Sequence, residues 1–208
     1  MTEARAKLVL ASGSPRRLSL LEQVGIRPDL LVPTQVDEAQ KRSEAPRALT
    51  ARLARAKAEA AAAKAKVRDL GEGTFVLAAD TVVAVGRRVV DKPQTIDDAA
   101  AALKFLSGRA HRVFTTVHLI TPKGAARART VETRVRFKRL SREDVESYLV
   151  SGEWRGKAGG YAIQGRAEAF VQNLQGSYSN VVGLPLHETV ALLNGTGYPV
   201  YFNWFNVT

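Results

Sequence analysis

The chain has 208 residues, 45% of them hydrophobic and 25% charged, the balance of a soluble globular protein able to bury a core. The absence of cysteine excludes disulfides and thiolate metal sites, and no apolar run is long enough to span a bilayer. The formal net charge of +11 either favours anionic partners (nucleotides, nucleic acid or a membrane surface) or serves only solubility.

The absence of cysteine fits a reducing cytoplasm, and the first apolar run, Leu8 to Ala11, reads as a buried strand and not as a signal peptide. Ser12-Gly13-Ser14 breaks it, and Pro15 fits the first position of a helix because its missing N–H is not needed there. Leu18, Leu21 and Val24 supply that helix's buried face, and Gly25 ends it. A second strand is predicted over Asp29 to Val32, then a loop carrying Asp37 and Glu38. The Ala-rich run from Ala48 to Lys66 reads as one long helix, with Leu49, Leu53, Ala56, Ala60, Ala63 and Val67 as its stripe.

Phe75 to Ala79 has the continuous apolar character of a strand buried on both faces, ending at Asp80-Thr81. Val82 to Val85 and Arg88 to Val90 flank Gly86-Arg87 as a hairpin, closed by Asp91-Lys92-Pro93. Thr95 with Asp98 is a capping box for a helix through Leu103 and Leu106 that stops at Gly108. Two alternating strands follow, near His111–Thr121 and Thr130–Leu140. In the second, Val131, Thr133, Val135 and Phe137 share a buried face, while Arg134, Arg136 and Lys138 share a wet one. Ser141 with Asp144 caps the next helix, which ends at Gly152; a Gly-rich stretch, a strand near Phe170–Leu174 and a helix from near Pro185 to Gly195 complete the chain. Alternating strands and helices without a separating linker indicate an α/β class with a mixed twisted sheet and flanking helices, one domain over residues 1–208.

Several of these segments carry residues suited to phosphate chemistry. Ser14, Arg16 and Arg17 stand in the first turn of the first helix, where free N–H groups and the helix dipole favour an anion. Arginines there oppose the dipole unless an anionic ligand compensates; the alternative is a plain serine cap with surface arginines. Asp80, at the end of an apolar strand, is placed to hold a divalent metal or polarise a water, or else to pair with a structural cation. Lys57 falls on or beside the apolar stripe of the long helix, so it either snorkels outward or meets a buried anion. Lys92 lies in a short loop where a surface role is the default. The stretch Lys157-Ala158-Gly159-Gly160-Tyr161-Ala162-Ile163-Gln164-Gly165 allows close backbone approach to a ligand beside an amide that can read a base edge, or it is simply a turn. His111, His118 and His187 show no metal-ligand spacing, and no P-loop or dinucleotide fingerprint is present.

Together these pieces resemble the Maf family. Ser12-Gly13-Ser14-Pro15-Arg16-Arg17, Val36-Asp37-Glu38, Arg52-Leu53-Ala54-Arg55-Ala56-Lys57, Ala79-Asp80-Thr81, Asp91-Lys92-Pro93, Leu106-Ser107-Gly108, Gly160 to Gly165 and Val182 to Leu186 match its motifs in order, over residues 7 to 194. The resemblance implies an elongated fold related to inosine-triphosphate pyrophosphatases, with a cleft between two lobes. It implies hydrolysis of nucleoside triphosphates between the α- and β-phosphates with a divalent cation (magnesium, manganese or cobalt), and a homodimer; the family has also been linked to arrest of cell division. By the same resemblance Asp80 would be the catalytic carboxylate and, with Glu38, would hold the metal. Ser14, Arg16, Arg17, Lys57 and Lys92 would bind the phosphates, and Gln164 the base. Ile-Gln-Gly is similar to the branch acting on dTTP and UTP, while the branch for methylated GTP carries an acidic residue there.

Two features depart from the family pattern. Glu168 stands where a small residue is common and is expected to face solvent; the aromatic tail from Gly195 to Thr208 either covers the core or contacts a partner. Outside the dTTP/UTP reading stand a pyrophosphatase for methylated GTP or modified nucleotides and, from another class, a nucleic-acid-binding protein using Arg134, Arg136 and Lys138. The wet face of that strand offers no aromatics for stacking bases.

Overall fold

In the computed structural model, which describes residues 6–201, the first apolar run becomes strand β1 (Lys7–Leu10) and Pro15 opens helix α1 (Pro15–Gln23). β1 lies parallel to β2 (Leu30–Leu31) on one side and to β3 (Thr74–Val85) on the other. β3 pairs antiparallel with β4 (Arg88–Val90) and β5 (Ala110–Ile120). β5 pairs in turn with β6 (Ala126–Phe137), and β6 with β7 (Val171–Gln175), both antiparallel. The result is a seven-stranded mixed sheet in the order β2-β1-β3-β5-β6-β7, with β4 attached to β3, and helices on both faces. The expected mixed α/β class is the one observed.

The remaining helices are α2 (Pro46–Ala62), α3 (Ala65–Arg68), α4 (Ile96–Leu106), α5 (Arg142–Ser151), α6 (Tyr178–Val182) and α7 (Leu186–Gly195). Both predicted capping boxes are formed: Thr95 with Asp98 opens α4, and Ser141 with Asp144 opens α5. The long Ala-rich helix is shorter than expected, because the chain leaves it after Ala62 and α3 follows separately. Its buried face is also rotated. Leu49, Leu53, Ala54, Lys57, Ala58 and Ala61 are buried, whereas Ala63 is exposed.

The central correction concerns β3. The strand does not end at Asp80; it runs unbroken for 12 residues, from Thr74 to Val85. Asp80 pairs with Thr116 and Thr81 with Thr115, so the ladder with β5 satisfies the backbone straight through the polar pair. Side chains alternate across the sheet. Val76, Ala78 and Val82 therefore face α2, in two apolar clusters with Ala58 and Ala61 and with Leu49 and Leu53. Phe75, Leu77, Ala79 and Val83 face the larger core with Leu21, Leu103, Leu106 and Leu193. Asp80 interrupts the first face and Thr81 the second.

Other differences are smaller. β6 begins at Ala126 and ends at Phe137, earlier at both ends than expected, and α6 was not foreseen. From the aromatic tail, Tyr198 and Val200 are buried, with Tyr198 edge-on to Phe75 at 5.5 Å between ring centres; this part of the tail covers the core. Phe202, Trp204 and Phe205 lie outside the described residues. Glu168 is exposed, as expected. No helix among the described residues is long and apolar enough to cross a membrane.

Candidate active site

The two polar interruptions of β3 are each answered by a cation from a different helix. On the α2 face, Lys57 lies between the two apolar clusters, directly opposite Asp80, and its Nζ is 2.6 Å from Asp80 Oδ1. Both residues are buried. The choice left open for Lys57 is thus resolved: it meets an anion and does not snorkel. Stranding either charge of such a buried pair costs about 3–5 kcal/mol.

On the opposite face, Arg17 of α1 donates through Nη2 to Thr81 Oγ1 at 3.3 Å and through Nη1 to Ser12 Oγ at 3.3 Å. Its Nε donates to the Gly183 carbonyl at 2.8 Å. Burial pulls the guanidinium below its usual range; Asp80 opposes this, Arg16 adds to it and Glu38 opposes it. Gly183 has φ of +129°, a region side chains rarely adopt, and a Cβ there would sit 3.6 Å from Arg17 Nε. Thr81 is itself held by Thr115, whose hydroxyl donates to the Asn180 carbonyl of α6.

Glu38 reaches the same place from its loop. Its Oε1 is 2.6 Å from Lys57 Nζ, and its Oε2 accepts from Lys92 Nζ at 2.7 Å. Burial alone would raise this carboxyl, but hydrogen bonds and charge from Lys57 and Lys92 outweigh it and hold the group at about 2. The loop is tied to α2 by Arg52, which forms a fork onto Glu44 at 2.8 and 2.9 Å and donates to the Ala39 carbonyl at 2.8 Å. Asp37 is exposed and accepts from the Ala39 backbone N–H; it stays outside the site.

One continuous cleft collects these groups. Ser14, Arg16, Arg17, Lys57, Lys92 and Lys157 line both its central part and its wider end beside Ser12 and Gly13. Its inner part adds Asp80, Thr81 and Gln164, with Val83, Tyr161 and Val182 as apolar walls. Ser14, Arg16, Arg17, Lys57, Asp80, Lys92 and Gln164 thus all border the cleft, as does Glu38, at its wider end and along the side lined by Leu49, Leu53 and Val82. Ser14 caps α1 without a side-chain hydrogen bond to the helix, so its hydroxyl is not spent on the cap. The first turn of α1 carries no acid of its own to offset its positive end.

Sequence reasoning gave no site role to Lys157 or Thr81. Lys157 was hidden in a stretch read for its glycines. Its half-buried ammonium donates to the Arg155 carbonyl at 2.9 Å, and burial, then Arg16, lower its pKa against an opposing Glu153. Thr81 meets Arg17 from 64 residues further along the chain, whereas Ser12 lies five residues before Arg17 and also accepts from the Ser14 backbone N–H.

The donor set suits a hard divalent cation. Asp80 Oδ2 is buried and has no hydrogen-bond partner among the described residues, a costly state for a carboxylate oxygen unless a cation or a proton donor meets it. No group of three or more His, Cys, Asp or Glu suited to a metal occurs among the described residues. Magnesium-like ions commonly take one or two carboxylates and complete their shell with phosphates and water, so Asp80 and Glu38 fit such an ion. The histidines take no part: His111 is buried against Phe137 and Tyr161, with Nε2 2.8 Å from the Tyr161 hydroxyl.

Residues 7–196 match the family described as Maf-like protein. A dTTP/UTP pyrophosphatase of Rhodopseudomonas palustris is 60% identical over 204 residues, covering 98% of this chain and 99% of its own length. One from Bradyrhizobium diazoefficiens is 61% identical over 204 residues, covering 98% of each chain. One from Mesorhizobium japonicum is 60% identical over 198 residues, covering 95% of each. Among solved structures, a Staphylococcus aureus Ham1 protein aligns with a TM-score of 0.43 at 14% identity, over 63% of this chain and 71% of that one.

Proposed function

We propose that this chain, which belongs to the Maf-like protein family, hydrolyses nucleoside triphosphates, dTTP and UTP foremost, to the monophosphate and pyrophosphate. The observation that carries this reading is the cleft itself, in which Arg16, Arg17, Lys57, Lys92 and Lys157 surround one buried carboxylate, Asp80. Attack on a polyphosphate demands neutralised charge and a positioned water, and electrostatic stabilisation supplies most of the rate. The similar proteins of Rhodopseudomonas palustris, Bradyrhizobium diazoefficiens and Mesorhizobium japonicum carry this substrate pair in their names.

In this reading Ser14, Arg16, Arg17, Lys57 and Lys92 bind the phosphates. Gly183, Thr81 and Ser12 fix the plane of Arg17 among them. Asp80 is the catalytic carboxylate: its oxygen without a hydrogen bond would hold a divalent cation, together with Glu38, or accept from the attacking water. A divalent cation bound there would withdraw charge from the phosphate oxygens. Gln164, at the exposed rim of the inner cleft, reads the base, its amide accepting from N3–H and donating to O4 of thymine or uracil. We further propose a cytoplasmic homodimer, which light scattering on the purified protein would test.

The experiment is a panel of canonical and modified nucleoside triphosphates with magnesium, manganese or cobalt, assayed for pyrophosphate release. Release from dTTP and UTP well above that from purine nucleotides supports the reading. Preference for a methylated guanine nucleotide would overturn the substrate assignment. Tight, salt-sensitive binding of DNA or RNA without hydrolysis would overturn the enzyme.

A further inference from the structure

Lys57 stands where a cation shared by Asp80 and Glu38 would have to stand. Its ammonium is 2.6 Å from Asp80 Oδ1 and 2.6 Å from Glu38 Oε1, so one positive charge bridges both carboxylates. The other oxygen of Glu38 is held by Lys92, and only Asp80 Oδ2 is left without a hydrogen bond among the described residues. Lys57 is 8% exposed and projects from the middle of α2, between buried Leu53 and Ala58, which leaves it little room to withdraw into solvent.

We propose that Lys57 is an internal counter-cation that competes with the divalent metal for Asp80 and Glu38 and transfers to the triphosphate when nucleotide binds. The inference rests on the reading that these two carboxylates hold the metal. Its physical basis is charge balance. In the free protein, two lysines already neutralise two carboxylates, so an arriving dication adds two positive charges beside an ammonium that, without a phosphate to turn to, has little room to withdraw. In a half-buried site that repulsion is poorly screened. A triphosphate changes the balance, because the same cleft brings its oxygens to the side of Lys57 lined by Ser14, Arg16 and Arg17. Lys57 then exchanges carboxylate oxygens for phosphate oxygens, and the carboxylates become available to the metal. Metal and nucleotide therefore each tighten the binding of the other, by the same factor. The arrangement also keeps buried Asp80 and the more exposed Glu38 paired in the free protein.

The test measures manganese binding by the paramagnetic signal of the free ion, with and without a non-hydrolysable α,β-imido analogue of dTTP. Lys57→Met keeps length and removes charge. Lys57→Arg keeps the charge, and Lys57→Gln serves if the Met variant folds poorly. The expected result is that the neutral variants bind manganese without nucleotide at least about fivefold more tightly than wild type, while Lys57→Arg does not. The gain from adding the analogue should shrink correspondingly in the neutral variants. Manganese should also raise their melting temperature more than that of wild type, a readout independent of turnover. Asp80→Asn separates the two readings. If it weakens manganese binding but the neutral variants bind no more tightly than wild type, the counter-cation role is wrong and the carboxylate site stands. If Asp80→Asn leaves manganese binding unchanged, the carboxylate site is wrong, and this inference falls with it.

Discussion

The main-chain carbonyl of Gly183 accepts the Nε–H of Arg17 at 2.8 Å, joining the first turn of α1 to the turn after α6. With Thr81 and Ser12 completing the fork, the guanidinium presents its remaining donors to the cleft in one fixed plane. A lysine has the charge but not the fork. Arg17→Lys should therefore lower kcat/KM by about 10- to 150-fold, the range for losing a charge-assisted hydrogen bond, ~1.5–3 kcal/mol. It should also lower the melting temperature. Steady-state kinetics and thermal melts check both; unchanged values would show that the fork is not used.

Lys157 is the residue by which the structure extends the sequence reading most directly. Half-buried beside Arg16, it borders both the inner cleft and its wider end. Lys157→Ala should reduce kcat/KM on every nucleotide alike, because phosphates are common to all of them, with a cost on the order of 1 kcal/mol or more. A loss confined to one base, read from parallel assays on dTTP, UTP and GTP, would place this lysine at the base instead.

Much of this architecture is legible in the sequence, and the failures have a common cause. β1, α1, α4 and α5 follow from local signals: an apolar run, a proline at a helix start, two capping boxes. β3 was cut short at Asp80 because a charged residue after five apolar ones looks like a strand end. What permits Asp80 within a buried strand is Lys57, 23 residues earlier, and what occupies Thr81 is Arg17, 64 residues earlier. Periodicity sees neighbours on one element and not partners across the fold. The same limit hid α6, whose five residues are too few to show a period; its place is fixed by Asn180, which donates to the Val113 carbonyl and to Thr133 Oγ1. The site residues were legible as residue types. Their mutual neutralisation, Asp80 to Lys57 to Glu38 to Lys92, was not.

His111 makes the fold sensitive to mild acid. Burial against Phe137 and Tyr161 pushes its pKa down from 6.5 to about 4, only partly opposed by the Arg109 backbone. Below pH 6.5 the unfolded chain takes up a proton that the folded chain refuses, so stability falls as pH drops from about 6.5 to about 4 and this contribution then levels off. The full effect is about 3 kcal/mol. In His111→Phe this slope should be markedly shallower, keeping only what other groups such as His118, also lowered by burial, contribute. Denaturant melts of both proteins at several pH values check it, and parallel pH profiles would show that His111 is not the group responsible.

Gln164→Glu tests how the base is read. The carboxylate would set an oxygen against O4 of thymine or uracil, leaving two acceptors opposed in a partly enclosed site. Activity on dTTP and UTP should fall by two orders of magnitude or so, as expected when a site built on a substrate hydrogen bond loses it. Residual turnover should shift toward guanine nucleotides, since the phosphate contacts are untouched. An unchanged ratio of pyrimidine to purine turnover would remove Gln164 from the base site.

The central claim is that this cleft cuts between the α- and β-phosphates with Asp80 at its centre. Phosphorus NMR of dTTP with the wild-type protein and magnesium tests it most directly, alongside Asp80→Asn shown by circular dichroism to be folded. Equimolar dTMP and pyrophosphate from wild type, and no detectable turnover from Asp80→Asn, is the predicted result. Release of dTDP and orthophosphate, or near-normal hydrolysis by the folded Asp80→Asn protein, would contradict it.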